Sequence, residues 1–372
     1  MMRTLGWKAR LVGGVLALLV AAVVIANVGY FAGSSYSGSY CTTCHQIQAS
    51  YDMWAQSVHR NMDCKECHGS TFSLDFDAHA TNLRHLFYQA SGRIPGRIVL
   101  KDGQVDRIAA NCQRCHMDKA SQWKAGGHSV GYSHIFLSED HNRKTLLMDD
   151  CLRCHGMFAD GNVATIVTPI DNRGPWGLVK PAFSRRPTIP CLACHGMHTL
   201  GTPARSPDYL APKSISYSRT ARTTSLAFYD RRERRHFPMA DLPLPAMFTQ
   251  GRAVKMSPDA RQAICYQCHA PEVAHLVGTG DDRTAVGVHE GIGCLGCHDA
   301  HTLDARASCA NCHPSMSNCG LDVATMDTTF KSATSTHNVH RVACRDCHTL
   351  GVSKSKRQQA REARVATVVS MH

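Results

Sequence analysis

Nine times the chain spells Cys-x-x-Cys-His, a spacing that fits covalent attachment of a porphyrin. The copies are Cys41, Cys44 and His45; Cys64, Cys67 and His68; Cys112, Cys115 and His116; Cys151, Cys154 and His155; and Cys191, Cys194 and His195. They continue with Cys265, Cys268 and His269; Cys294, Cys297 and His298; Cys309, Cys312 and His313; and Cys344, Cys347 and His348. Two thiols three positions apart fit on one turn and add across the two vinyl groups of a haem. The next residue, histidine, then meets the iron from the proximal side. The motifs take eighteen of the nineteen cysteines, which predicts nine covalently attached haem c groups. Zinc knuckles pair such units without requiring histidine directly after each, and a disulfide framework has no use for it. The odd thiol, Cys319, reads as an inert small residue.

The sixth ligand decides what each iron can do. A haem held by two protein ligands shuttles electrons, and one with an open position can bind a small molecule. Beyond the motif histidines fourteen remain, more than nine irons need. The candidates by position are His59, His85, His128, His134, His141 and His198 in the first part of the chain. In the second part they are His275, His289, His301 and either His337 or His340. His198 and His301 each lie three residues past a motif histidine, in the matching stretches Cys191–Leu200 and Cys294–Leu303. From there a side chain can reach a neighbouring iron and lock two haems together. Met53, Met157 and Met197 read as packing against porphyrin. No Cys-x-x-Cys-Lys variant, the mark of nitrite-reducing multihaem enzymes, occurs.

The elements that must carry these groups are spare. From Cys41 to His348 there are about 34 residues per motif, too few for an ordinary side-chain core around each. The expected fold is mainly α with extensive coil, built around stacked haems, with one N-terminal transmembrane helix. Residues 1–10 form a basic cytoplasmic N-terminus and 11–32 an apolar anchor long enough to cross a bilayer. Arg3, Lys8 and Arg10 hold that end in the cytoplasm, and Val24-Ile25-Ala26 is a competing cleavage site. Residues 33–200 then form a five-haem module, and 201–257 a haem-free connector rich in Pro and Arg. A four-haem module at 258–350 and a basic tail at 351–372 complete the chain. The connector is expected to lie across the haem groups with its arginines on propionates. The formal charge of +12 would suit a polyanion. Nine pairs of propionates offset about nine units of it when the irons are ferric, and no nucleic-acid partner is expected.

The start of the chain resembles the NapC/NirT family of membrane-anchored multihaem quinol dehydrogenases. The residues that carry this are the single span, Tyr40-Cys41-Thr-Thr-Cys44-His45, Trp54-Ala-Gln-Ser57-Val-His59 and Cys64-Lys-Glu-Cys67-His68-Gly69. The match covers residues 10 to 70. It implies that His59 is a distal haem ligand and that electrons enter from membrane quinol through the first haem. Ile47 stands where members often carry a ligating Met, and no lysine follows the second motif before Lys101. Asp75 and Asp77 are the quinol-side candidates for the base that takes the proton.

The expected function is electron transfer by a single-pass protein of the inner membrane with its haem-bearing head in the periplasm. The donor would be quinol or a membrane redox complex, and the acceptor a periplasmic or outer redox protein. Quinol dehydrogenase activity is compatible with this. The alternatives are a reductase of a nitrogen or sulfur oxyanion at a five-coordinate haem, and a subunit of a conducting haem filament.

Overall fold

The computed structural model describes residues 6–35, 42, 45–69, 84, 87–89, 91–93, 99–198, 226–270, 283–302, 309, 338–343 and 346, with backbone only at 30–35 and 45. The chain divides into two compact units. One comprises Met1–Ala204 and Ala221–Pro238, the other Arg205–Thr220 and Met239–His372. The segment read as a haem-free connector is therefore shared between the units.

The first unit begins with the helix Trp7–Ser35. The stretch Trp7–Gly29 is long and apolar enough to cross a membrane, and its described side chains are exposed throughout. Its one polar side chain past Arg10, Asn27, donates to the Val23 carbonyl at 2.7 Å, so its amide is partnered within the helix. Short helices follow at His45–Ala55, Cys64–His68, Asp102–Cys115 and Met117–Ala125. The longest of these, Asp102–Cys115, buries Val105, Ile108 and Ala109, the i, i+3, i+4 stripe of an amphipathic helix. Its start is fixed by Gln104, whose side chain accepts from the Lys101 N–H at 2.9 Å, with Asp102 in the first turn against the helix dipole.

Beyond it, Tyr132, Phe136, Leu147, Leu152, Ala159, Val163, Ile166 and Val167 make a buried apolar cluster, flanked by Trp176, Leu178 and Phe183. This part of the unit therefore has a side-chain core of its own, where the residues per motif had suggested too few for one. Leu152, inside the fourth motif, is fully buried in a side-chain core. Arg186 ties this region to the helix Asp102–Cys115 through Asp102 (2.6 Å) and Asp106 (2.7 Å).

Two-stranded ladders are the β structure among the described residues. Ala227–Asp230 pairs antiparallel with Arg235–Pro238, so that Phe228 faces Phe237 and Tyr229 faces His236. Aromatic cross-strand pairs stabilise such a hairpin. Asp230 closes its turn by accepting from the Glu233 N–H at 2.8 Å.

The second unit is built round Met247, Val254, Tyr266 and Ala270, with the helix Gln262–His269 carrying the sixth motif. Ahead of that helix, Asp259 and Arg261 form a buried bidentate ion pair, with 2.9 and 2.7 Å contacts. Val286–Gly287 runs parallel to Arg341–Val342, and a Cβ at Gly287 would run into the Val342 carbonyl. The glycine permits that close approach and its positive φ.

Candidate haem-binding motifs and their axial histidines

Each well-described motif is one closed turn. The N–H of the motif histidine donates to the carbonyl of the first cysteine at 2.9 Å in His116, 3.0 Å in His155, 3.0 Å in His195 and 2.8 Å in His298. The second motif occupies the five-residue helix Cys64–His68. Asp63 caps it by accepting from Lys65 N–H at 2.9 Å, and Gly69 closes it with φ 84°. A turn of this kind brings the first and fourth residues to the same side, which is the placement two thioether bonds require. No disulfide joins the described motif cysteines, and no group of three or more His, Cys, Asp or Glu forms a metal site among the described residues.

Pairs of histidines are brought together instead. His68 and His198 have ring centres 6.0 Å apart and planes 18° from parallel. His298 and His340 are also 6.0 Å apart, at 11°. His116 and His59 are 6.2 Å apart and nearly perpendicular, at 81°. Two metal–nitrogen bonds of about 2 Å, plus about 1 Å from each nitrogen to its ring centre, add up to about 6 Å. The spacing therefore suits one iron between two imidazoles, each pair combining a motif histidine with a distant one. Two side chains do not complete a metal site, but a porphyrin supplies the four remaining nitrogens. A pocket lined by His59, His116, Cys112, Cys115, Met62 and Met197 opens beside the third motif, where such a group would lie. At the fourth motif, burial lowers the His155 pKa and the neighbouring His141 lowers it further. The buried Nδ1 of His155 has no hydrogen-bond partner among the described residues.

Four of the candidate distal histidines share a second feature. Nδ1 of His198 donates to the Ser50 carbonyl at 2.9 Å, and Nδ1 of His289 to the Val339 carbonyl at 3.1 Å. Nδ1 of His141 lies 3.1 Å from Asn142 Oδ1, and that of His340 lies 3.3 Å from Asn338 Oδ1. A carbonyl oxygen only accepts, so the proton sits on Nδ1 and the Nε2 lone pair is left for a metal. Burial keeps His198 below its ordinary pKa against the opposing Ser50 bond. Burial first and then His116 do the same for His59, which favours the neutral ring. His236 is the opposite case: its Nε2 donates to the Leu192 carbonyl at 2.6 Å.

The motifs also converge on one another within each unit. Asn111 Nδ2 donates to the Cys67 carbonyl at 2.9 Å, joining the second and third motifs. Cys112 lies close enough to Cys191 and Cys67 for both to raise its pKa, after burial, to about 11. In the second unit Cys265 and Cys294 touch through their thiols, and that contact is the largest cause of the raised Cys294 pKa.

Other expected site residues are placed less tellingly. His128 lies beside the approach to the fifth motif, its carbonyl accepting from Ile189 N–H at 3.2 Å. His134 is exposed and is not brought to a motif histidine among the described residues. His301 stays near Asp299, 3.7 Å away. Met157 is buried, and Met197 lines the pocket beside His116. Arg231 and Arg232, expected on propionates, are engaged by protein: Arg231 donates to the carbonyls of Met157 (3.3 Å), Ala159 and Gly161, and Arg232 pairs with Asp150 at 3.1 Å. A larger cleft floored by Phe158 and Tyr229 and rimmed by Arg153, Arg231, Arg232 and Arg234 is lined by no motif cysteine or histidine. Cys41, Cys44, the His45 side chain, Asp75, Asp77, His85, His275, Cys312, His313, His337, Cys344, Cys347 and His348 lie outside the described residues, as do Cys319 and the basic tail.

Repeated one-turn thiol–histidine motifs with a second imidazole about 6 Å away define a multihaem cytochrome c, an electron-transport protein with covalently bound c-type haems. In agreement, residues 36–204 match the family model described as outer membrane cytochrome MtrC/MtrF-like, domains II/IV. That segment holds the first five motifs. The resemblance of residues 10–70 to the NapC/NirT family is not supported by this match. Comparison with curated proteins and with solved structures gives no match.

Proposed function

We propose that the chain is a membrane-anchored electron carrier with nine c-type haems. It would take electrons from the quinol pool or a membrane redox complex and deliver them to a periplasmic or outer redox protein. The observation that carries this reading is the repeated pairing of a motif histidine with a second imidazole at 6.0–6.2 Å. When bound, c-type haem supplies a one-electron iron couple. The paired imidazoles would hold each such iron from both sides, which would leave no place for an oxyanion substrate at those sites. The Nδ1–H bonds of His141, His198, His289 and His340 hold the rings in the ligating tautomer. Close approach of Cys67, Cys112 and Cys191 supports stacked haems in the first unit, and the Cys265–Cys294 contact supports them in the second.

The helix Trp7–Ser35 fits membrane anchoring. If it is retained, an apolar span of this kind belongs in the inner membrane, since outer membranes are crossed by β-barrels. The family description of residues 36–204 supports a second reading, in which the helix is a removed signal sequence and the head works at the outer membrane in extracellular electron transfer. Mass measurement of the mature N-terminus separates them: a start at Met1 or Met2 supports the anchor, and a start near Asn27 the exported head. The donor is tested by mixing the detergent-solubilised holoprotein anaerobically with a menaquinol analogue. Rapid haem reduction, slowed by Asp75→Asn with Asp77→Asn, supports a quinol dehydrogenase. No reduction, with dithionite still reducing every haem, supports a relay fed by a membrane complex. A high-spin signal in the resting wild-type spectrum would favour the oxyanion reductase.

A further inference from the structure

The haem-free hairpin Ala227–Pro238 contributes no motif, yet both of its ends are fastened to motifs. At one end the Ala227 N–H donates to the Cys194 carbonyl at 3.0 Å, and His236 Nε2 donates to the Leu192 carbonyl at 2.6 Å. The turn of the fifth motif uses the Pro190 and Cys191 carbonyls for its own bonds, to Ala193, Cys194 and His195. The carbonyl of Leu192, a residue only 3% exposed, needs a donor from elsewhere, and His236 is that donor. At the other end Arg231 donates to the carbonyls of Met157, Ala159 and Gly161, directly after the fourth motif, and Arg232 pairs with Asp150 directly before it. Between the two ends runs a row of rings. His236 lies edge-on to its cross-strand partner Tyr229, with centres 5.3 Å apart, and Tyr229 stacks on Phe158 at 4.0 Å. Phe158 is three residues past the motif histidine His155.

We propose that His236 is a positioning residue. Together with Tyr229 and Phe158 it forms a brace that fixes the fourth and fifth haem motifs relative to each other. The inference rests on the haem-bearing reading of those motifs. In the chain 35 residues separate His155 from Cys191, and within that stretch the Gly156 N–H donates to the Thr188 carbonyl at 3.0 Å, which links the two neighbourhoods. The brace adds a second link through one hydrogen bond to a motif carbonyl and two ring contacts. It also explains why a segment without haem ligands is folded into the haem-bearing unit. His236 acts through Leu192 and Phe158, and touches no iron in this arrangement.

The test compares full-length holoprotein carrying His236→Leu, which removes the donor, with His236→Gln, whose amide can reach the same carbonyl. Haem count by mass, the electron paramagnetic resonance spectrum and a redox titration are measured on each. The expected result for H236L is nine attached haems, with the spectral components and titration steps of two haems displaced and the other seven unchanged. H236Q should restore the wild-type pattern. An H236L protein with nine haems and wild-type titration and spectrum overturns the proposal. If H236L does not accumulate, Arg231→Gln reads the other end of the brace. Displacement of two components with seven unchanged supports the proposal, and a wild-type pattern refutes it. A wild-type protein with fewer than nine haems would count against the nine-haem reading, a failure visible before any variant is compared.

Discussion

Replacing His198 with alanine isolates one axial bond. The His198 ring centre lies 6.0 Å from that of His68, and its polar contact among the described residues is the 2.9 Å bond to the Ser50 carbonyl. Losing that bond costs about 1 kcal/mol, small against the 5–15 kcal/mol of an ordinary domain, so the protein should still fold. The second motif keeps Cys64, Cys67 and His68, so its haem should stay attached and lose only its distal ligand. One haem in nine, or about 11% of the total, should then convert from low-spin to high-spin in the resting oxidised protein. The assay is room-temperature absorbance with low-temperature electron paramagnetic resonance, normalised to total haem by the alkaline pyridine method. Added imidazole should enter the vacated place and return the spectrum to low spin. A fully low-spin H198A protein would refute the assignment. So would a high-spin fraction that imidazole leaves untouched.

The same reasoning extends to other sites. His340→Ala and His59→Ala should each produce one further high-spin haem, whereas His134→Ala, at an exposed ring, should leave the spectrum unchanged; absorbance of the three purified proteins decides. Asn142→Ala removes the acceptor for His141 and the 2.9 Å bond to the Phe136 carbonyl, and should lower stability by about 2 kcal/mol at about 1 kcal/mol per bond. Chemical denaturation followed by tryptophan fluorescence measures it. Replacing residues 1–35 with a cleavable secretion signal should yield a haem-loaded head that leaves the membrane fraction, which fractionation and haem staining would show.

What the sequence determined is the local chemistry. Nine copies of a five-residue motif carry their own geometry, because the turn from cysteine carbonyl to histidine N–H is closed within the motif. The apolar helix is equally local, since a run of side chains without charge sets its own periodicity and solvent. The Nδ1 acceptors at His141 and His340 were near in sequence, at Asn142 and Asn338, and could have been noticed there. Tertiary structure decided the pairings. The His198 ring lies beside that of His68, 130 residues away, and the His59 ring beside that of His116, where the helix Asp102–Cys115 packs against the second and fifth motifs. Spacing alone left several partners open for each histidine. Tertiary structure also turned part of a Pro- and Arg-rich connector into a brace. Phe228 and Tyr229 are buried in it, but a strand pairs through backbone atoms that carry no mark in the sequence of their distant partner. The arginines went to carbonyls and Asp150 for the same reason: which acceptor a guanidinium meets is set by the fold that surrounds it.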